Sequence, residues 1–587
     1  MIVRADALSR RFSRFCATLG LVTLFSSSVW AQPALKPEEM AVQVLNAANK
    51  AFNEKQFGPA AERFREYLKT FGNQKDANLA RYGLALTLLE SPQKDYKGAV
   101  EQLNHVAGVQ DFAERPFALY YLALAHRGLG HESLAMGVAK PQEAPQHRAT
   151  AVTHFTPAIQ RFSEASAAFV ARTKANPAPA AEQIASDTEW SVRSLCDQCE
   201  LLIRIEKIKE ASDLLNPVVA GNTHQKSKHF PTLLYLHGHT SFLLKDYVAA
   251  GRSISQLAPF ADPVFGVHAQ YLLARVHHVA DERDEAVNLY DAVIKGYDKQ
   301  KQLAQQALQN QAAFQNQPEE KARLESLVKT PPDYVSRASF HWGVLLFEQK
   351  KTAEAQARFA TFAQQYPQSP LVPEAQLRTG MCQVELRQFP QGIQTLQPLI
   401  AHPQLGDRAL LWTGRAQVWG ADPAQPQPYA QALTAAITSF TQASDKANQQ
   451  IAQDPDAKLR RAEMLLELGD CQQLAKQYPQ AAATYETAFK ENHSPDRNEQ
   501  FLQRRVTALH FAQQFDQSDQ ASTQFQQTFP KSTLLPEVLF RTAENAYVRG
   551  SLIEPTNPAS KNPDIPKWFG EAVKRYQVVI DKAPEFT

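Results

Sequence analysis

The sequence predicts an all-α fold, an α-solenoid (superhelix) of about twelve helix–turn–helix repeats. Three observations carry this. Apolar residues recur at helical spacing. Between Ser339 and Pro367, residues Phe340, Gly343, Val344 and Phe347 sit at offsets of three, four and seven, one stripe of a 3.6-residue helix. A small residue also returns at a near-constant interval: Ala60 to Ala99 is 39 positions, Ala211 to Ala250 is 39, Ala250 to Ala286 is 36 and Ala355 to Gly392 is 37. Finally, only 23 of the 587 residues are Gly, and the 36 Pro fall mainly between periodic stretches, as at Pro59, Pro263, Pro367, Pro373, Pro530 and Pro536.

Taken in order, the chain opens with a secretory signal. Arg4, Arg10, Arg11 and Arg14 form a basic head, Phe15 to Trp30 is mostly apolar or small, and Val29-Trp30-Ala31 supplies a small-x-small cleavage site. Residues 1–31 are therefore expected to be removed, leaving a periplasmic or otherwise exported chain that starts at Gln32. No later stretch reaches the roughly 18 continuous apolar residues that a spanning helix needs. The signal carries a net +3 of the formal +2, so the remainder is near −1. That balance offers nothing to attract nucleic acid or an anionic membrane surface. A chain this long exceeds one ordinary core and must form several domains or a stacked array.

Each repeat has a small residue in its first helix and another in its second, followed by a large apolar one. The first six are marked by Ala48/Ala60/Phe64, Ala85/Ala99/Leu103, the run Leu119–Ala123, Cys199/Ala211/Leu215, Gly238/Ala250/Ile254 and Ala274/Ala286/Tyr290. The second six are marked by Gly343/Ala355/Phe359, Gly380/Gly392/Leu396, Gly414, Gly469/Ala481/Tyr485, a poorer Phe515/Phe525 pair, and Ala543/Ala572/Tyr576. In the seventh repeat Gly343 and Ala355 are expected to face each other, with Phe359 filling the space beyond. Insertions are expected at Gly130–His147, Ala421–Pro428 and Ser551–Pro566. Residues 158–166 also match 436–444, which suggests a duplication: a first array over 32–299, a connecting helical segment over 300–335 and a second array over 336–587. The chain stops just after a second helix. Either the end is bare, or the array continues in a partner, or the sequence is incomplete.

Gly343, Ala355, Phe359, Phe362 and Pro367 resemble the tetratricopeptide repeat, whose period is roughly 34 residues. The longer intervals here are similar to those of bacterial envelope proteins such as the TolA-binding periplasmic protein and the lipoprotein component of the outer-membrane barrel assembly machine. The resemblance implies a non-catalytic scaffold or adaptor for other proteins of the cell envelope, binding them on the concave face lined by the first helices. Carried onto this sequence, the groove positions are Tyr120, Leu124, Tyr235, His239, Phe242, Phe340, Val344 and Phe347. The competing role for these aromatics is packing between repeats.

Nothing in the sequence points to catalysis, a cofactor or a metal. His237 and His239 are two apart on a helix and so diverge, whereas helical ligand pairs need a spacing of three or four. Cys196 and Cys199 lie inside a helix rather than at its N-terminus, with Cys199 at the small position, and Cys382 and Cys471 are read as its equivalents in two other first helices. Two other functions remain open. One is an accessory part of an enzyme, with a C-terminal part missing. The other is a carrier of glycan or a small molecule.

Overall fold

The computed structural model describes residues 36–310, 314, 318–553 and 562–583. The expected signal at 1–31, the chain end and half of the 551–566 insertion lie outside these residues. Among the described residues the regular structure is helical, with no strand. The chain divides into two compact units between Ala338 and Ser339. Both are all-α solenoid arrays.

In the first unit the helices pair as Pro37–Asn53 with Phe57–Phe71, Ala77–Glu90 with Tyr96–Ala107, Arg115–Ala139 with Ala144–Thr173, Ala181–Arg204 with Ile208–Ala220, Phe230–Leu243 with Tyr247–Ser255, and Gly266–Val279 with Arg283–Gln309. Pro318–Lys329 and the start of Asp333–Glu348 complete it. In the second unit the rest of Asp333–Glu348 pairs with Thr352–Gln365. It is followed by Val372–Glu385 with Phe389–Leu396, Gly406–Trp419 with Pro426–Gln450, Ala457–Leu474 with Tyr478–Glu491, Asn498–Phe511 with Phe515–Thr528, and Leu535–Ile553 with Asp564–Lys582. Each helix packs chiefly on the helices before and after it in sequence. The cores accordingly run from one hairpin to the next within a unit.

One packing rule recurs. A small first-helix residue accepts a large second-helix side chain 16 positions later: Gly238 with Ile254, Gly343 with Phe359, Gly380 with Leu396, Gly469 with Tyr485. A Cβ placed on Gly343, Gly380 or Gly469 would lie 2.5–2.7 Å from that partner, closer than real atoms approach. The small residues also meet at this crossing: a Cβ on Gly238 would lie 3.4 Å from the Ala250 carbonyl oxygen, and one on Gly392 3.4 Å from that of Gly380. Gly343 makes room for the ring of Phe359, and Ala355 is buried in the same cluster. The weak eleventh repeat follows the rule with sizes exchanged. Val506 stands at the small position and Ser522 at the large one, and the nearby Ser518 hydroxyl donates to the Val506 carbonyl at 3.0 Å.

The turns are equally regular. In eight hairpins the second residue before the second helix adopts φ between 57° and 64°: Lys55, Glu206, Lys245, Asp281, Lys350, Arg387, Lys476 and Gln513. The next amide donates to the carbonyl five residues back at 2.8–2.9 Å, as from Lys351 to Leu346, which closes a Schellman motif. None of the eight is glycine, although the left-handed conformation costs an L-residue about 1–2 kcal/mol. Replacing exposed Lys350 with glycine is therefore expected to stabilise the chain by about 0.5–1 kcal/mol, after the entropy that glycine loses on folding is deducted. A rise in the urea midpoint measures it.

The first insertion is mostly helix. Residues 130–147, expected as a loop, extend both members of the third hairpin and leave only a tight connection around Lys140–Glu143. In the ninth hairpin the chain re-enters helix at Pro426, because proline at a first helical position gives up no hydrogen bond. The 158–166 and 436–444 segments occupy these two long second helices with three matched residues buried in each. Ala158, Phe162 and Ala165 are buried in one, Ala436, Phe440 and Ala443 in the other.

Candidate partner-binding cleft

The first unit holds a cleft of about 340 Å³. Three elements frame it. The Ala181–Arg204 helix contributes Cys196, Glu200, Ile203 and Arg204. The Phe230–Leu243 helix contributes Thr232, Tyr235, Leu236 and His239, whose spacing of three and four puts them on one face. The loop into the next hairpin contributes Asp262, Val264 and Phe265. Asp262 shapes that loop by accepting from the amides of Val264 at 2.8 Å and Phe265 at 3.1 Å.

The back wall is aromatic and preorganised. Tyr235 and Phe265 stack with centroids 4.7 Å apart and planes 14° from parallel. The Tyr235 hydroxyl is 2.7 Å from His268 Nδ1, and His268 lies edge-on to His239 and against Tyr334. Burial pulls the His239 imidazole down to about 4. Burial, with His239 beside it, takes His268 to about 3. Both rings are neutral at pH 7. Burial also lifts the Tyr235 phenol.

A pH dependence follows. The folded values lie below the ordinary 6.5, so the unfolded chain takes up protons first as pH falls. The contribution of these imidazoles is fully present above about pH 6.5. It is lost between there and pH 4 to 3, by up to about 1.4 kcal/mol per pH unit for each ring. A melting midpoint that falls less steeply over this range in His268→Gln than in the parent chain is the expected result.

The groove residues expected from sequence separate into two sets. Tyr235 and His239 meet at the cleft. Tyr120 instead is wholly buried and donates to Asp197 Oδ2 at 2.7 Å, and Arg127 pairs with the same carboxylate at 3.0 Å. Leu124 is half-buried against the core of the first three hairpins. Phe242 is half-buried with its ring against Tyr247. In the second unit Phe340 is buried among Phe359 and Phe362, and Val344 and Phe347 pack on that cluster. A buried ring already in contact with its neighbours cannot touch a partner without giving up that packing. Phe265, Val264 and Thr232 were missed by sequence reasoning. The only local signal was two apolar residues directly after Asp262-Pro263, where a turn would expose them.

The second unit presents a different inter-helix surface. Successive first helices are tied by Arg408–Glu374 at 2.8 Å, Arg415–Glu463 at 2.6 Å, Arg460–Asp407 at 2.8 Å and Arg504–Asp470 at 2.5 Å. These charges are satisfied by one another.

The singled-out histidines and cysteines have structural surroundings. His237 Nδ1 is 2.8 Å from the Ser253 hydroxyl, in the core. Cys196, Cys199, Cys382 and Cys471 are buried free thiols. Burial raises Cys196 and pushes the other three up to about 12, which keeps them protonated.

The tetratricopeptide-repeat family model matches residues 337–369. Among solved structures, the chain is similar to that of PilW, described as a widely conserved type IV pilus biogenesis factor. The identity is 17%, the match covers 53% of this chain and 100% of that one, and the TM-score is 0.28. No curated protein matches the sequence. Among the described residues no helix is long and apolar enough to cross a membrane. The matched segment is the seventh hairpin, and its spacing of glycine to large side chain and its left-handed turn recur in both units. Residues 337–369 thus match a tetratricopeptide repeat, set within an all-α array of helical hairpins.

Proposed function

We propose that this protein is a non-catalytic adaptor of the bacterial cell envelope that holds a partner protein on the first-helix face of its first unit. The observation that carries the reading is the cleft framed by Tyr235, His239 and Phe265, where an apolar, ring-lined surface opens between successive first helices. Val264, 61% exposed at its rim, is an apolar side chain left in water. The second unit's inter-helix ion pairs favour a stiffening role there. Export rests on the basic-then-apolar head and the Val29-Trp30-Ala31 site.

Site-specific photocrosslinking in the native cell tests both parts. A crosslinker at position 264 should capture one defined protein, whereas one at exposed Lys209, on a second helix, should not. Val264→Asp should abolish capture by a crosslinker placed at Arg204 while leaving the fold intact. Equal capture from both faces, or capture indifferent to Val264→Asp, removes the cleft from the reading. The purified protein should begin at Gln32, and an intact Met1 removes the export claim.

A further inference from the structure

We propose that the cleft accepts one uncharged aromatic side chain bearing its own hydrogen-bonding group, a tyrosine on an extended segment of the partner, and that Thr232 and His239 read its hydroxyl. This rests on the adaptor reading and names what that site recognises.

Charge narrows the alternatives. Arg204 donates to Glu200 at 3.3 Å, and Asp262 accepts from two backbone amides through Oδ1 while keeping its negative charge, so the walls disfavour an anion. An anionic side chain would lose its hydration and meet no free cation, since Arg204 is already paired with Glu200. The volume, about 340 Å³, holds one large side chain with its flanking backbone rather than a helix. The stacked Tyr235–Phe265 pair offers an aromatic wall to such a ring.

Two polar groups are left over. Thr232 is only 9% exposed, yet its hydroxyl bonds to no protein group among the described residues. The imidazole of His239 packs on rings and likewise makes no hydrogen bond there. A neutral imidazole has one donor and one acceptor nitrogen, and a threonine hydroxyl can do either. Both line the cleft, whereas the Tyr235 hydroxyl is committed to His268. A phenolic hydroxyl gives these groups a partner. A phenylalanine ring fills the same space and leaves them unmet, which penalises it.

The test titrates full-length mature protein with N-acetyltyrosinamide and N-acetylphenylalaninamide, followed by NMR or calorimetry in the millimolar range. Tyrosinamide is expected to bind about 5- to 10-fold more tightly, the size of one net hydrogen bond. His239→Leu and, separately, Thr232→Val should each shrink that ratio towards one while the phenylalanine amide still binds. Equal binding of the two amides, tighter binding of the phenylalanine amide, or binding of neither overturns the proposal. The adaptor reading fails separately. If crosslinking from position 264 still depends on the cleft but the amides do not differ, the adaptor stands and tyrosine recognition falls.

Discussion

Replacing Arg172 with alanine is expected to cost about 3–5 kcal/mol, the penalty of stranding a buried charge. The charge is that of Asp187, whose side chain is fully shielded from solvent. Arg172 answers it with two donors, one of them Nε at 2.8 Å, and Gln183 adds a third at 2.8 Å. The guanidinium also lies 5.1 Å from the Phe117 ring centroid and 5.5 Å from that of Phe169, so its removal opens the aromatic packing as well. The pair joins the end of the Ala144–Thr173 helix to the start of Ala181–Arg204. The loss should therefore appear first as faster amide exchange across 181–204 and then as a lower urea midpoint. Arg172→Met with Asp187→Leu removes the charge and its answer together, and is expected to recover most of the stability. A double variant as weak as Arg172→Ala would mean that the aromatic contacts, not the charge, carry the effect.

A second large effect is expected from the Gly343–Phe359 contact. Gly343→Val drives new atoms into the Phe359 ring, which a Cβ alone would already approach to 2.7 Å, and overpacking of this kind costs about 1–3 kcal/mol. Phe359→Ser empties the site and costs more, about 3–5 kcal/mol by analogy with aromatic truncation in cores. The eleventh hairpin already carries Val506 with Ser522 at these two positions. The double variant Gly343→Val/Phe359→Ser should accordingly be less damaged than the sum of the singles, by about 1–3 kcal/mol, as for other residues in direct contact. Equilibrium unfolding of the four proteins gives the number. Strict additivity would show that the exchange in the eleventh hairpin depends on its surroundings rather than on the pair.

These cases show what the sequence could and could not carry. Helix pairing was legible because a small residue and a large one recur at fixed spacing, and no long-range information is needed to see that. The eleventh hairpin looked poor only because Val506 and Ser522 exchange sizes, which a residue-by-residue template scores as two failures. The third-hairpin insertion looked like a loop because Gly130, Gly137 and Pro141 punctuate it, yet Gly130 accommodates the Phe155 ring within a continuous helix. The cleft was half visible. Tyr235 and His239 stand at regular helical positions, whereas Phe265 and Val264 arrive on a connecting loop whose path depends on the neighbouring hairpin. Tyr120 and Phe340 share the spacing of Tyr235, and only packing shows that they are filled in.

The ninth hairpin has a practical consequence. Gly414 and Phe440 stand 26 positions apart instead of 16, and yet a Cβ on Gly414 would still lie 2.6 Å from the Phe440 ring. The ten added residues change the route between the helices without changing where they meet. The short span between Trp419 and Pro426 is thus a point at which the gene can be opened and foreign sequence spliced in. A fluorescent reporter or an epitope placed there would ride on the scaffold as cargo, leaving the repeats on either side in register.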